Sequence, residues 1–209
     1  MLLPMTVPMP MSWPELTALL VFATAMAFTP GPNTTLAAAL AANHGLRHAM
    51  RFVLAVPLGW GLLLLACALG LGALVQAEPA LRGTLKWGGL AYLLWLAWKL
   101  GTADALAQAD PRRFDVGFGK GVLLQFVNIK AWMNALLISA GWITVASPIW
   151  PRLAFVLPLM MAYGLASNFT YALVGSALRS WLLHGRRLAW FNRALAAVLV
   201  ATAGWMAVL

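Results

Sequence analysis

The chain has 209 residues, of which 63% are hydrophobic and only 9% are charged, and its mean hydropathy is +0.84. One soluble core of this length could not bury so much apolar surface, so the composition excludes an ordinary water-soluble domain and predicts an integral protein of the lipid bilayer. The net charge of +9 does not predict nucleic-acid binding, because the basic residues are dispersed between hydrophobic runs and form no stripe.

The first apolar segment covers residues 13–43. Its beginning, Leu16 to Ala27, has the composition of a signal-peptide core, but no Lys or Arg precedes it, so it is predicted to be the first membrane segment. The sequence FTPGPN interrupts this segment at residues 28–33. Two prolines remove backbone donors and block helical pairing, which predicts a break in the helix.

Five further membrane segments follow from runs of about 20 apolar residues. They cover 52–76, 85–104, 117–147, 151–178 and 188–208. The first and fourth of the six segments are too long for a hydrocarbon core of about 30 Å. These are also the interrupted segments, with Pro30-Gly31-Pro32 in one and Asn128-Ile129-Lys130 in the other.

Loop charges predict the orientation of the segments. The stretches 43–51, 99–120 and 179–193 hold ten of the fourteen Lys and Arg residues, which places them in the cytoplasm and both termini in the periplasm. If segments one and four were re-entrant hairpins, four basic residues would lie on the periplasmic side of the membrane. The charge pattern therefore favours broken helices that cross the bilayer over re-entrant ones.

The chain divides into two three-segment halves, residues 1–104 and 117–209, joined by a cytoplasmic linker at 105–116. An odd number of crossings in each half makes the second half inverted relative to the first. The predicted fold is therefore all-α, with six transmembrane helices in two inverted repeats and helices 1 and 4 broken. Broken helices at corresponding positions of inverted repeats indicate a transporter site near the middle of the bilayer.

The first break offers hydrogen-bond donors. Pro32 is placed as a first-turn proline and Gly31 as the helix cap. The following amides would then begin a half-helix without intrahelical partners: Asn33, Thr34 and Thr35. These donors and the positive end of the helix dipole suit an anion.

The same break offers acceptors, because its prolines free the carbonyls of Met26 and Phe28. Carbonyl groups suit an ammonium group, and the two sites together suit a zwitterion. The alternative is a simple proline kink whose unpaired groups are satisfied by water or threonine hydroxyls.

In the second break, Asn128 is predicted to cap a half-helix and to expose the amides of Lys130 and Ala131. Lys130 is the one ionisable residue predicted to lie deep in the membrane, where burial of a charge costs about 2.5–3.5 kcal/mol. It is too far from the interface to snorkel. We therefore expect it to pair with a substrate carboxylate or to be neutralised during a transport cycle.

Other polar residues lie in the segments, and most are expected to join helices to one another. Gln125 and Asn134 are included in the predicted site. Ser139, Tyr163, Asn168 and Tyr171 are weaker candidates. The predicted substrate-binding residues are Pro30, Gly31, Pro32, Asn33, Thr34, Gln125, Asn128, Lys130 and Asn134. No metal, cofactor or catalytic residue is predicted, since the three histidines have no ligand spacing.

The stretches FTPGPN, HGLRHAMR, LKWGGLAYLLWLAWKL and LLQFVNIKAW resemble the LysE/RhtB family of amino-acid exporters along nearly the whole chain. Within it, the chain resembles the branch that includes the cysteine/O-acetylserine exporters. The resemblance implies a protein of the bacterial inner membrane that exports small amino acids or derivatives, driven by the proton motive force.

The family's paired motifs fall on Pro30-Gly31-Pro32, Asn128 and Lys130. Two departures follow from the sequence. Many members have Asp where this chain has Asn33, which puts a proton-carrying role there in doubt. Ile129 replaces the usual proline, which predicts a less sharp second break.

The sequence therefore predicts a secondary transporter with an amino-acid substrate, and not an enzyme. A passive channel is the first alternative, but a channel needs a continuous polar lining, whereas these polar residues cluster at two breaks. A non-transporting accessory protein is the second, and it leaves Lys130 unexplained. The substrate, the coupling ion and a homo-oligomeric state stay open.

Overall fold

The computed structural model describes residues 9–103 and 115–208. Within these two ranges the chain forms nine α-helices and no strand, so the predicted all-α class is confirmed. Nearly all of the predicted linker at 105–116 lies outside the described residues.

The first half contains α1 (Trp13–Phe28), α2 (Pro32–His44), α3 (Leu46–Ala66), α4 (Gly72–Ala77) and α5 (Pro79–Gly101). The second half contains α6 (Phe118–Val127), α7 (Ile129–Ile138), α8 (Trp150–Leu182) and α9 (Arg187–Val208). A π-helical turn at Cys67–Leu71 joins α3 to α4, and another at Ser139–Ile143 follows α7. Each predicted segment thus corresponds to one helix or to one interrupted helix.

Three helices in the described part of the chain are long and apolar enough to cross a membrane: Leu46–Ala77, Trp150–Leu182 and Arg187–Val208. The bent pair Phe118–Val127 and Ile129–Ile143 is a fourth candidate when it is counted as one span. The α1 helix is apolar but has only 16 residues. A count of six crossings therefore stays a prediction.

The first break lies at Thr29–Gly31, between α1 and α2. The amide of Thr29 still donates to the carbonyl of Ala25, over 3.1 Å, and Pro30 then stops α1 because it has no N–H group. The new helix begins at Pro32, whose fixed backbone angle suits a first helical turn.

The second break is a single residue, Asn128, at which the two half-helices bend by 69°. The side-chain oxygen of Asn128 accepts a hydrogen bond from the amide of Lys130 over 3.1 Å, as expected for a helix cap. Because Ile129 replaces the usual proline, the second break is predicted to be less sharp than the first. The chain turns by 69° here, with an asparagine cap and no proline.

The halves pack reciprocally around the breaks. The α1 and α2 helices pack against α8 of the second half, while α6 and α7 pack against α3 of the first half. The α3 helix also packs on α8, and α5 packs along α9. Most residues of α2 are buried alanines and leucines, and its first turn lies in the interior of the molecule.

Candidate functional site

The two breaks lie against each other. A Cβ atom added at Gly31 would lie 3.1 Å from Cδ of Lys130 and 3.2 Å from its Nζ. A side chain at this position would press on the lysine, which would have to shift by a few tenths of an ångström. The contact joins the start of α2 to the start of α7, although the two residues are about a hundred positions apart in the sequence.

A cavity of about 100 Å³ lies at this junction. It is lined by the end of α1, by the first break, by the first turn of α2, and by α3, α7 and α8. Eight of the nine predicted site residues lie on it or within the first break: Gly31, Pro32, Asn33, Thr34, Asn128, Lys130 and Asn134 line the cavity, and Pro30 connects Thr29 to Gly31.

Lys130 connects the breaks directly. Its ammonium group donates a hydrogen bond of 2.8 Å to the carbonyl of Thr29, the residue that caps the C-terminus of α1. A cation at the C-terminal end of a helix is stabilised by the negative end of the helix dipole. Lys130 is also the one charged side chain among the residues that line the cavity.

The neighbouring carbonyls of the first break also have partners. The hydroxyl of Tyr171 donates to the carbonyl of Phe28 over 2.9 Å, and the hydroxyl of Ser167 donates to the carbonyl of Ala27. The carbonyl of Phe28, predicted to be freed from helical pairing, thus accepts one hydrogen bond from a hydroxyl of α8. Sequence reasoning missed Ser167, although its spacing of four residues from Tyr171 places both on one face of α8.

Gln125 does not belong to the cavity lining, which corrects its predicted place. It is fully buried, and its amide exchanges two hydrogen bonds with that of Asn33, over 2.8 and 3.1 Å. A third bond of 3.0 Å goes to the carbonyl of Gly121. These bonds hold the side chain of Asn33 in place and join α2 to α6. The polar side-chain atoms of Gln125 are thus hydrogen-bonded to protein groups.

Two of the amides predicted to be unpaired are paired. The amide of Thr35 donates to the carbonyl of Gly31 over 2.9 Å, since this is the first intrahelical bond of α2. The amide of Lys130 is bound by the Asn128 side chain. The first-turn amides of α2 that precede its first intrahelical bond are those of Asn33 and Thr34.

Two asparagine oxygens at the cavity have no hydrogen-bond partner. They are the buried side-chain oxygens of Asn134 on α7 and Asn168 on α8. Asn168 is 4% exposed, and its side-chain nitrogen donates to the carbonyl of Gly164 over 2.7 Å. Donors and unpaired acceptors therefore surround one small cavity.

No metal centre is formed by the described residues, because they contain no group of three His, Cys, Asp or Glu side chains able to hold an ion. The lone Cys67 is buried and unbridged. The polar groups that line the cavity are hydrogen-bonding side chains, the ammonium group of Lys130 and the ends of helices.

Comparison of the sequence with known proteins identifies a family. Residues 24–208 match the family described as LysE type translocator. A cysteine/O-acetylserine efflux protein of Klebsiella pneumoniae subsp. pneumoniae is 35% identical over 183 residues, which are 86% of this chain and 92% of the relative. The proteins of the same name from Salmonella typhimurium and Escherichia coli K12 are 35% and 34% identical over 175 and 179 residues, covering 83% of this chain and 88% of each relative.

No solved structure matches the chain. The matched region includes both breaks, Lys130 and all helices from α2 to α9. The family match and the apolar helices together identify a multi-pass membrane protein. The chain belongs to the LysE type translocator family.

Proposed function

We propose that this protein exports small amino acids or their close derivatives across the bacterial inner membrane, by alternating access to the cavity between the two breaks. The contact of Lys130 with Gly31 and Thr29 is the observation that carries the proposal. It places one cation, one helix N-terminus and one helix C-terminus around a small cavity inside an apolar protein.

The proposed transporter has six crossings in two inverted halves, joined by the linker predicted at 105–116. Reciprocal packing supports this arrangement, since each broken helix contacts the long helix of the other half. A twofold axis in the membrane plane would exchange α3 with α8 and α5 with α9, and those pairs are in contact. The proposed termini are periplasmic.

The substrate carboxylate is proposed to bind where Lys130 and the first turn of α2 meet. The amides of Asn33 and Thr34 and the dipole of α2 favour a negative charge there. In this structure Lys130 is bound to the carbonyl of Thr29. A substrate carboxylate would compete with that carbonyl for the lysine, so binding would loosen the contact between the halves.

The size of the cavity supports a small substrate. A volume of about 100 Å³ limits the side chain, and the apolar walls formed by residues such as Ala27, Val56 and Met160 suit one without charge. The curated relatives are named for efflux of cysteine and O-acetylserine, which are small and neutral. We propose the same substrate class for this chain.

We propose that the proton motive force drives export. The cavity lining contains no carboxylate to carry a proton. Lys130 is therefore the proposed group at which a proton and the substrate are coupled, because its charge is the one that a bound carboxylate would neutralise.

Transport into inside-out membrane vesicles tests the proposal. Export corresponds to accumulation of labelled L-cysteine, under a reductant, or of O-acetyl-L-serine inside the vesicles. We expect accumulation to require an acidic lumen and to be lost in Lys130→Ala. Lys120→Ala is the matched control, because Lys120 is exposed and lies at the start of α6, away from the cavity.

The outcomes separate the parts of the proposal. Wild-type accumulation that persists without a pH gradient would refute proton coupling. Equal accumulation by Lys130→Ala and the wild type would remove Lys130 from the site. No transport by the wild type of any small neutral amino acid would refute the exporter itself.

A further inference from the structure

The cavity contains an acceptor group that the carboxylate site does not use. The side-chain oxygen of Asn168 has no hydrogen-bond partner although the residue is 4% exposed and lines the cavity. The buried side-chain oxygen of Asn134 is in the same condition. Because a buried acceptor without a partner costs about 1–3 kcal/mol, a donor that enters the cavity, from water or from a ligand, is the expected partner.

The orientation of the Asn168 amide is fixed by its own helix. Its nitrogen donates to the carbonyl of Gly164 over 2.7 Å. Rotating the amide by half a turn would place oxygen against that carbonyl, and two acceptors cannot form a hydrogen bond. The oxygen of Asn168 is therefore the amide atom left without a hydrogen-bond partner.

We infer that the side-chain oxygens of Asn168 and Asn134 form a subsite that accepts hydrogen bonds from the ammonium group of the substrate. This inference rests on the proposed function and names the second recognition element of the same cavity. An α-ammonium group carries three donors and no acceptor, which complements acceptors that have no donor of their own. Lys130 and the start of α2 would hold the carboxylate of the same molecule.

The subsite also defines the class of substrate. Both acceptors are neutral, and the one charged side chain at the cavity is the cation Lys130. A zwitterion adds no net charge to that cavity, whereas a lysine-like or arginine-like substrate would add a second uncompensated cation. The site thus fits zwitterionic amino acids with short uncharged side chains.

Ligands that lack one charged group test the assignment. The purified full chain in lipid nanodiscs would be assayed for displacement of labelled L-cysteine under a reductant. The competitors are L-cysteine, 3-mercaptopropionate, which lacks the ammonium group, and cysteamine, which lacks the carboxylate. Each variant then gives three affinities. The pattern among them shows whether the variant has lost its binding to the ammonium group or to the carboxylate of the ligand.

Asn168→Ala is expected to weaken L-cysteine and cysteamine about 10-fold, equivalent to about 1.4 kcal/mol, while 3-mercaptopropionate changes less than about twofold. Asn168→Ser is expected to do the same, because its short hydroxyl would bond within the helix and not reach the cavity. Lys130→Ala is expected to show the reverse pattern, with cysteamine not weakened.

Thr170→Ala is the matched control. Thr170 lies on the same helix and is exposed, and its hydroxyl likewise bonds a carbonyl four residues earlier, that of Ala166, over 2.8 Å. We expect its three affinities to equal those of the wild type. Agreement would show that losing an intrahelical side-chain bond on α8 does not by itself alter binding.

Unchanged L-cysteine affinity in both Asn168 variants would overturn the inference and leave the proposed function standing. So would equal weakening of L-cysteine and 3-mercaptopropionate, because that pattern indicates a general loss of cavity shape. A wild-type protein that binds none of the three compounds would refute the proposed function, and the ammonium subsite with it.

Discussion

Gly89 on α5 is predicted to be irreplaceable, while its neighbour Gly88 is predicted to tolerate alanine. A Cβ atom at Gly89 would lie 2.1 Å from the carbonyl oxygen of Val127, the last residue of α6. A Cβ atom at Gly88 would meet nothing within 4 Å. The two positions thus differ in one respect, the close approach of α5 to the second break.

The magnitude follows from that distance. Ordinary contact begins near 3.4 Å, so alanine at position 89 requires the break and α5 to separate by more than about 1 Å. Forcing an extra carbon into a packed interior costs about 1–3 kcal/mol. Alanine gains up to about 1 kcal/mol from helix propensity at either position, because both lie inside α5, so this gain cancels when the two variants are compared. We therefore expect the free energies of unfolding of the two variants to differ by about 1–3 kcal/mol.

Thermal unfolding in detergent measures this difference. For a chain of this length, 1 kcal/mol corresponds to about 2–4 °C, so Gly89→Ala should unfold at least about 2 °C below Gly88→Ala. Transport in vesicles should fall in the same variant, because the moved carbonyl belongs to the residue before Asn128. Equal midpoints for the two variants would show that α5 does not approach the break as closely as described.

Two further predictions concern the connection of α2 to α9 and the orientation of the chain. Asn43 and Asn192 exchange two amide hydrogen bonds, of 2.8 and 3.0 Å, and Asn192 is fully buried. Asn43→Ala should lower the free energy of unfolding by about 1–3 kcal/mol, because it leaves the buried amide of Asn192 without its partner. The double variant Asn43→Ala/Asn192→Ala should lose less free energy of unfolding than the sum of the two single variants. Additive losses would contradict the pairing. A reporter enzyme that works only in the periplasm should be active when it is fused after Leu209. Activity of a reporter that works only in the cytoplasm, fused at the same place, would refute the predicted topology.

The breaks were predictable because their causes are local. Proline lacks an N–H group whatever surrounds it, so Pro30 and Pro32 indicate where one helix ends and another begins. Asn128 is a preferred capping residue, and the structure uses it as one. The length of the apolar runs predicted the segments in the same local way.

The partners of the freed groups were not predictable, because they come from distant parts of the chain. Nothing near Phe28 in the sequence indicates that Tyr171 supplies its hydrogen bond. The same limit explains Gln125, whose polarity suggested ligand binding but whose bonds go to Asn33 and Gly121. A polar residue in an apolar segment must find a partner, and only the tertiary fold decides whether that partner is protein or ligand.

The position of Lys130 connects recognition to movement in the proposed exporter. Its bond to Thr29 joins α7 of one half to α1 of the other, and its stem covers Gly31 at the start of α2. An arriving carboxylate offers the lysine a charged partner, which is stronger than a neutral carbonyl. The bond between the halves is then exchanged for bonds to the substrate, so a state in which the breaks separate is favoured only when the site is filled. An isolated cation would give no such coupling, and this is why the contact between the breaks matters more to the proposed cycle than the charge alone.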